Sequence, residues 1–433
     1  MTPRQFLKKY EYDQRLITGA YYSTDPLELE KGDKVAVVLL NLGGPNSTKD
    51  VAPFLYNLFM DPAIIDIPLK GILRHWISSL ISKTRSKKVA KDYEEIGGGS
   101  PINRLTKEQA DHLEKHLNEA YGKKAGVSFH TYVAMRYWHP TSEEAAAQMK
   151  ADGITKVILM PLYPQYSKTT TGSSLLYWWM LEEAGEINAW PTTFAFEYAA
   201  NPKYLKALNE RIDEALQRFP REIRNDVHLV FSAHGTPTRE MKERRDPYCC
   251  LVNSTVEQVM NTRTDDRTFH VAFQSKVGPA EWLTPSTPDK LEELAKKEVK
   301  AVLMVPVAFV SDHVETAFEL DIEIREEAED FGIHHYEVVS GLNSHPLFIE
   351  ALGEVTVSQL VLPNQADVQT SGDGAPADAR SYPLRPLNKL PRYKSEDRCT
   401  RCHQCELITE ARKWTIDGGP AINAPSVSTE SAA

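Results

Sequence analysis

The chain is expected to be an α/β protein of two similar βαβ domains whose parallel sheets face a central cleft, and three observations predict this. Apolar, β-branched runs recur at Val35 to Leu42, Phe129 to Met135, Lys156 to Leu162, Val227 to Ser232, Phe269 to Gln274 and Val299 to Val307, as strands buried on both faces of a parallel sheet do. Mostly helical intervals separate them. The runs also fall into two sets of three with matching punctuation. The first run of each set enters a turn ending in proline (Leu42-Gly43-Gly44-Pro45 against His234-Gly235-Thr236-Pro237), the second ends near a proline (Pro140, Pro279), and the third contains one (Pro161, Pro306).

The 433 residues divide accordingly. An irregular N-terminal arm (1–30) precedes the first domain (31–195), which includes a lip at 64–88, and the second domain (196–360). A disordered linker (361–395), a cysteine-rich segment (396–414) and a disordered tail (415–433) follow. With 41% hydrophobic and 25% charged residues the chain can fill a core without staples. Its 50 basic and 60 acidic residues leave a net charge of −10, which argues against nucleic acid as a partner. No run approaches the ~18 apolar residues of a membrane span, and Met1 to Glu30 lacks the apolar centre of a signal peptide. A cytoplasmic protein is expected; a homodimer is left open.

Sites in open parallel sheets lie beyond the carboxyl ends of strands. His234 directly follows an apolar run, in Ser232-Ala233-His234-Gly235, where its side chain should project into the cleft. Imidazole, with an ordinary pKa of about 6.5, exchanges protons near neutrality. Glu315, Glu319 and Glu323 recur at every fourth residue, placing three carboxylates on one stripe of a helix whose entry carries Asp312 and His313. A solvated acidic face gives the same pattern. Position argues for function: the stripe follows a strand that should end in the same cleft as His234, where oxygen donors can guide a divalent cation or relay protons. Gly43-Gly44 and Gly97-Gly98-Gly99 read as tight turns, because no GxGxxG or GKS/T phosphate motif is present.

In the segment 64–88, Ile72, Leu73, Trp76, Ile77, Leu80 and Ile81 mark one helical face, with Lys70, Arg74, Lys83, Arg85, Lys87 and Lys88 around and after it. This is either a core helix with a solvated back or an amphipathic lip on an anionic membrane. The five cysteines form two clusters, Cys249-Cys250 and Cys399-x2-Cys402-x2-Cys405 with His403 inside the second, which suits metal ligation better than disulfides. Zinc or a 2Fe-2S cluster takes four ligands, so a fourth must come from elsewhere, with Cys249 or Cys250 the remaining cysteine source.

Eight motifs together resemble the ferrochelatases, in that family's order: Leu40-Asn41-Leu42-Gly43-Gly44-Pro45, Ile96-Gly97-Gly98-Gly99-Ser100-Pro101, Arg136-Tyr137-Trp138-His139-Pro140, Tyr163-Pro164-Gln165-Tyr166-Ser167, Thr171-Gly172-Ser173-Ser174, Phe231-Ser232-Ala233-His234, Gln274-Ser275-Lys276-Val277-Gly278-Pro279 and Ser311-Asp312-His313-Val314-Glu315-Thr316. The resemblance spans about residues 35 to 360. It implies two Rossmann-like, chelatase-type domains and a lyase that inserts ferrous iron into a porphyrin. By motif, His234 resembles the histidine that accepts pyrrole protons or meets the metal, and Glu315 its carboxylate partner. Glu319 and Glu323 resemble an acidic path away from the ring, with Asp312 and His313 supporting the metal end. Leu42, Leu58, Arg136, Tyr137, Tyr163, Trp282 and Phe309 match positions that line or clamp the macrocycle, and Arg85, Tyr93, Ser100 and Ser275 positions near its propionates.

Two departures stand out. Where animal enzymes carry a cluster-binding cysteine after the Gln-Tyr-Ser motif, this chain has Lys168. A 2Fe-2S cluster on Cys399, Cys402, Cys405 and Cys250 (or Cys249) is expected in preference to zinc, because Asp246-Pro247-Tyr248 belongs near that corner of the family fold. Leu42 stands where coproporphyrin-using enzymes of Gram-positive bacteria carry tyrosine, which makes protoporphyrin IX the expected substrate. Chelatases for other tetrapyrroles, and a tetrapyrrole carrier without turnover, are the competing readings.

Overall fold

The computed structural model describes residues 1–23, 25–65, 71–276 and 278–363. Its strands are β1 (Leu27–Glu28), β2 (Lys34–Asn41), β3 (Ser128–Met135), β4 (Lys156–Pro161), β5 (Thr192–Phe194), β6 (His228–His234), β7 (Phe269–Gln274), β8 (Ala301–Pro306), β9 (His335–Val338) and β10 (Leu360–Val361). Two four-stranded sheets run in the orders β3-β2-β4-β5 and β7-β6-β8-β9, every pairing parallel. Counted from its own first strand, each sheet has the order second, first, third, fourth, so the internal repeat is a repeat of topology. The six expected runs are the three leading strands of each sheet. β5 and β9 complete the sheets from segments too short to give a periodic signal.

Helices cover both faces of each sheet, which is why β2 and β8 are apolar almost throughout. Ala36, Val38 and Leu40 face Leu175, Trp178 and Leu181. Val230, Val302 and Met304 face Leu291, Leu294 and Leu320. The remaining faces merge: Val35, Val37 and Leu39 share one buried cluster with Leu229, Phe231 and Leu303, bridged by Leu113, Leu208 and Leu352. Those bridging residues sit on the helices Ile102–Leu117, Pro202–Leu216 and Pro346–Val357. The two sheets therefore share one core, and a shift of either is felt by the other.

Residues 1–30, expected to be irregular, carry two short helices, Pro3–Lys9 and Arg15–Thr18. The first starts at a capping box formed by Thr2 and Gln5, and the second stops at Gly19 in the left-handed region. Each is too short to show periodicity, and packing secures them: Phe6 and Leu16 are buried beside Ala36 and Trp178. β1 pairs with β10, joining this arm to the end of the second domain.

Candidate active site

His234 is the last residue of β6, opposite Gln274 at the end of β7. β8, the other neighbour of β6, ends at Pro306 on the same edge because the pairing is parallel. The helix that follows begins at Glu315, whose Oε2 lies 2.9 Å from His234 Nδ1. Sheet topology thus brings together the two groups that the motifs single out.

The segment Glu315–Glu323 is a run of wide π turns, not the expected α-helix, and continues as the α-helix Ile324–Asp330. Its three carboxylates have different partners. Glu315 meets His234. Glu319 accepts from the Ser275 amide at 2.9 Å and the Ser275 hydroxyl at 2.6 Å. Glu323 lies within electrostatic reach of Asp92 on the helix Gly71–Glu95, where burial, with Glu323 and Glu95, outweighs Lys88 and raises the Asp92 carboxyl above its ordinary range.

Burial pulls the His234 imidazole down, but Glu315 and Glu319 outweigh it and hold its pKa above the ordinary value. Burial pushes Glu315 up, yet His234 and His313 bring it well below the carboxylate range. The two shifts agree in favouring the charged pair. Burial and the Glu315 charge push Glu319 up to about 7, against the Ser275 bonds and His234. Burial lowers His313, which is therefore neutral near pH 7. Its Nδ1 lies 3.1 Å from the Ser311 carbonyl oxygen; a carbonyl only accepts, so Nδ1 carries the proton and Nε2, 4.0 Å from Glu315 Oε2, offers a lone pair.

The apolar wall adjoins this group. Leu42, Leu58 and Val314 pack against the buried cluster that holds Tyr93 and Tyr137, and the Phe309 ring is 4.4 Å from the His313 ring. Glycines seat the neighbouring loops: a Cβ on Gly44 would lie 2.5 Å from Ser100 Cβ, and one on Gly99 would lie 2.4 Å from the Asn46 carbonyl oxygen. The two glycine motifs are thus pressed against each other, with Ser100 between them and beside Tyr93. Trp282 lies against Gly235, immediately after His234.

Arg136 is turned inward. Its Nη2 pairs with Asp61 Oδ2 at 2.6 Å, its guanidinium stacks 4.1 Å from the Tyr177 ring, and Tyr163 lies beside it. The Tyr137 hydroxyl donates to the same Asp61 oxygen at 2.6 Å. Asp61, Arg136, Tyr137 and Tyr177 border a cavity of about 200 Å³ also lined by Phe6 and Trp138. Arg85 is exposed, 5.8 Å from the Phe59 ring. Sequence reasoning missed Asp61, Asp92 and Tyr248, whose hydroxyl donates to the His234 carbonyl at 3.1 Å. Only Tyr248 left a signal, through the Asp-Pro-Tyr motif.

The lip helix is inverted. Arg74 is buried and donates to the carbonyls of Phe59, Asp61 and Ile65, and Ser78 and Ser82 are buried with it. Ile72, Leu73, Trp76 and Leu80 are 73%, 51%, 65% and 63% exposed. Among the described residues no helix is long and apolar enough to cross a membrane. Lys70 and the rest of 66–70 lie outside the described residues, as do Cys399, Cys402 and Cys405. Cys249 and Cys250 are buried on the first turn of the helix Tyr248–Thr262. Lys168 is buried, its Nζ 2.8 Å from the Ala63 carbonyl oxygen and 3.1 Å from Glu240 Oε2. Among the described residues no three His, Cys, Asp or Glu side chains gather as a metal cage.

A family model described as ferrochelatase matches residues 34–360. The chain belongs to the ferrochelatase family. The ferrochelatase of Gloeothece citriformis is 42% identical over 333 residues, covering 76% of this chain and 83% of that one. The ferrochelatase of Gloeobacter violaceus is 43% identical over 336 residues, covering 76% and 98%. Among solved structures, SirB from Bacillus subtilis with Fe3+ is similar at a TM-score of 0.43 and 13% identity, covering 78% of this chain and 98% of that chain. The last likeness is too slight to bear on the site.

Glu319 binds its proton more tightly when folded. Between its ordinary value of 4.5 and about 7 the folded state holds the extra proton, so stability from this group falls as pH rises through that window. Glu319→Gln is expected to flatten the dependence of Tm on pH across it. A slope equal to that of the unsubstituted protein would assign the titration elsewhere.

Proposed function

We infer that the protein inserts ferrous iron into protoporphyrin IX to form protohaem. The observation that carries this is the His234–Glu315 pair, in a chain of the ferrochelatase family, set against the wall built on Tyr93 and Tyr137. The reaction exchanges one dication for two pyrrole protons. A flat ring shields its nitrogen lone pairs, so binding energy must hold it bent, with the nitrogens out of plane. His234 donates from Nδ1 to Glu315; once Nε2 has released its own proton that nitrogen accepts one from a pyrrole, and the Glu315 charge stabilises the imidazolium that forms. Glu319, poised near neutrality, and Glu323 with Asp92 continue an acidic route outward for protons or for the arriving cation. A transferred ion needs no resident cage, because the four ring nitrogens are its final ligands.

The substrate is apolar, and the exposed face of Ile72, Leu73, Trp76 and Leu80 supports a lip that rests on the inner face of an anionic membrane, with Lys83, Arg85, Lys87 and Lys88 beside it. For the cysteines, three tail thiols and one from the first turn of Tyr248–Thr262 make the four ligands of a 2Fe-2S cluster. Cys249 packs within the main core, which favours Cys250. Such a cluster would supply a crosslink between tail and helix.

Purified protein with protoporphyrin IX and ferrous iron, or zinc as a surrogate, is expected to turn over many times, and His234→Ala to lower kcat by about 10²–10⁴. Stoichiometric porphyrin binding without metallation would identify a carrier. Co-sedimentation with vesicles containing anionic lipid should weaken with salt and with Trp76→Glu; indifference to vesicles would overturn the lip. Protein purified without oxygen should absorb visible light and contain iron and sulfide, whereas colourless, zinc-loaded protein would replace the cluster with zinc.

A further inference from the structure

The loop that delivers His313 is held from the other domain. Gln109 is fully buried on Ile102–Leu117, in the first half of the chain. Its Oε1 accepts from the Ser311 hydroxyl at 3.2 Å, and its Nε2 donates to the Asn343 carbonyl at 2.9 Å. Asn343, in the left-handed region at φ 47°, grips Asp312 twice. Asn343 Oδ1 accepts from the Asp312 amide at 3.1 Å, and Asn343 Nδ2 donates to Asp312 Oδ2 at 2.8 Å. The other oxygen, Oδ1, accepts from the Gly341 amide at 2.9 Å. A Cβ on Gly341 would stand 2.9 Å from that same oxygen and from the Asp312 amide nitrogen, so the 341–343 loop fits tightly here.

We propose that Gln109 is a positioning residue for metal insertion: by fixing Ser311 and Asn343 it holds the carbonyl to which His313 Nδ1 donates, and so aims His313 Nε2 at Glu315, while Asp312 serves this brace and not the cation. Asp312 spends both carboxylate oxygens on the 341–343 loop, whereas Nε2 of His313 is left facing the reaction group. The orientation of the ring is set at Ser311 alone on its Nδ1 side, and Ser311 is anchored through its hydroxyl to Gln109. Outer partners of this kind commonly change metal affinity or activity by about 10–100-fold when lost, and a displacement near 1 Å in a reacting group is similarly costly.

The inference rests on the metal-insertion reading. The test measures zinc insertion into protoporphyrin IX by the full chain, with KM for each substrate determined separately. Gln109→Met removes both bonds at similar volume, and is expected to raise the KM for zinc about tenfold or more while leaving the KM for porphyrin in place. Ser311→Ala should move the zinc KM in the same direction, and Gln109→Glu, which keeps the acceptor for Ser311, should recover part of it. The double variant should be no worse than Gln109→Met. An unsubstituted protein that fails to insert zinc or iron overturns the function. If it turns over and both variants keep its zinc KM, or lose only Tm, the brace alone is overturned. Ser311→Ala, lacking one oxygen atom, decides the matter if Gln109→Met does not fold.

Discussion

The contact between the His234 imidazole and the Glu315 carboxylate sets the terms for the rest of the molecule, because either charge alone would be costly in a partly buried cleft. Keeping the two together requires adjacent strand ends. β6 and β8 are neighbours in a parallel sheet, so His234 and the loop after Pro306 open on one edge. The turn that carries Glu315 must then be wide enough to send the next carboxylate to a different partner. In the π turns of Glu315–Glu323 it does so: Glu319 goes to Ser275, at the end of the strand on the opposite side of β6. The three strand ends β7, β6 and β8 thus contribute one element each to this group of His234, Glu315, Glu319 and Ser275.

Two glutamates four residues apart take opposite directions, and their surroundings explain the split. Glu315 has imidazoles on two sides and stays ionised despite burial. Glu319 is buried with a carboxylate for a neighbour, and the Ser275 donors and His234 do not outweigh these, so it holds its proton to near neutrality. Ser275 can aim both its amide and its hydroxyl at one carboxylate because its backbone is left-handed, at φ 62°. That conformation costs a non-glycine residue on the order of 1–3 kcal/mol, and the bonds to Glu319 help to hold it. Divergent pKa values on paired acids are what a proton relay near neutral pH needs.

How much of this was legible in the sequence depended on whether a feature was local. β2, β6 and β8 were visible because strands buried on both faces must be apolar without interruption. β5 and β9 were not, since edge strands of three and four residues carry too few positions to form a pattern. His234 and Glu315 could be found from their place after strands, together with their motifs. The π turns could not, because the four-residue spacing of Glu315, Glu319 and Glu323 is equally that of an α-helical stripe. Arg136 resembled a group that reaches the macrocycle, yet its charge goes to Asp61, a residue 75 positions away with no local mark of burial. Long-range pairings of polar groups leave no periodic trace, which is also why nothing in the sequence marks Gln109.

The helix Gly71–Glu95 joins the outer surface to this chemistry. At its start Arg74 satisfies three backbone carbonyls of the preceding segment, which turns the polar side inward and forces Ile72, Leu73, Trp76 and Leu80 out. Near its end Asp92 lies within electrostatic reach of Glu323, and the buried Tyr93 within that of Glu315. From Trp76 to Tyr93 the rise is roughly 25 Å at about 1.5 Å per residue. A single continuous helix cannot place its exposed apolar turns independently of its acidic end. The same Arg74 contacts that turn Trp76 and Leu80 outward therefore also fix where Asp92 stands relative to the π turns, so the exposed apolar face and the acidic end share one structural support.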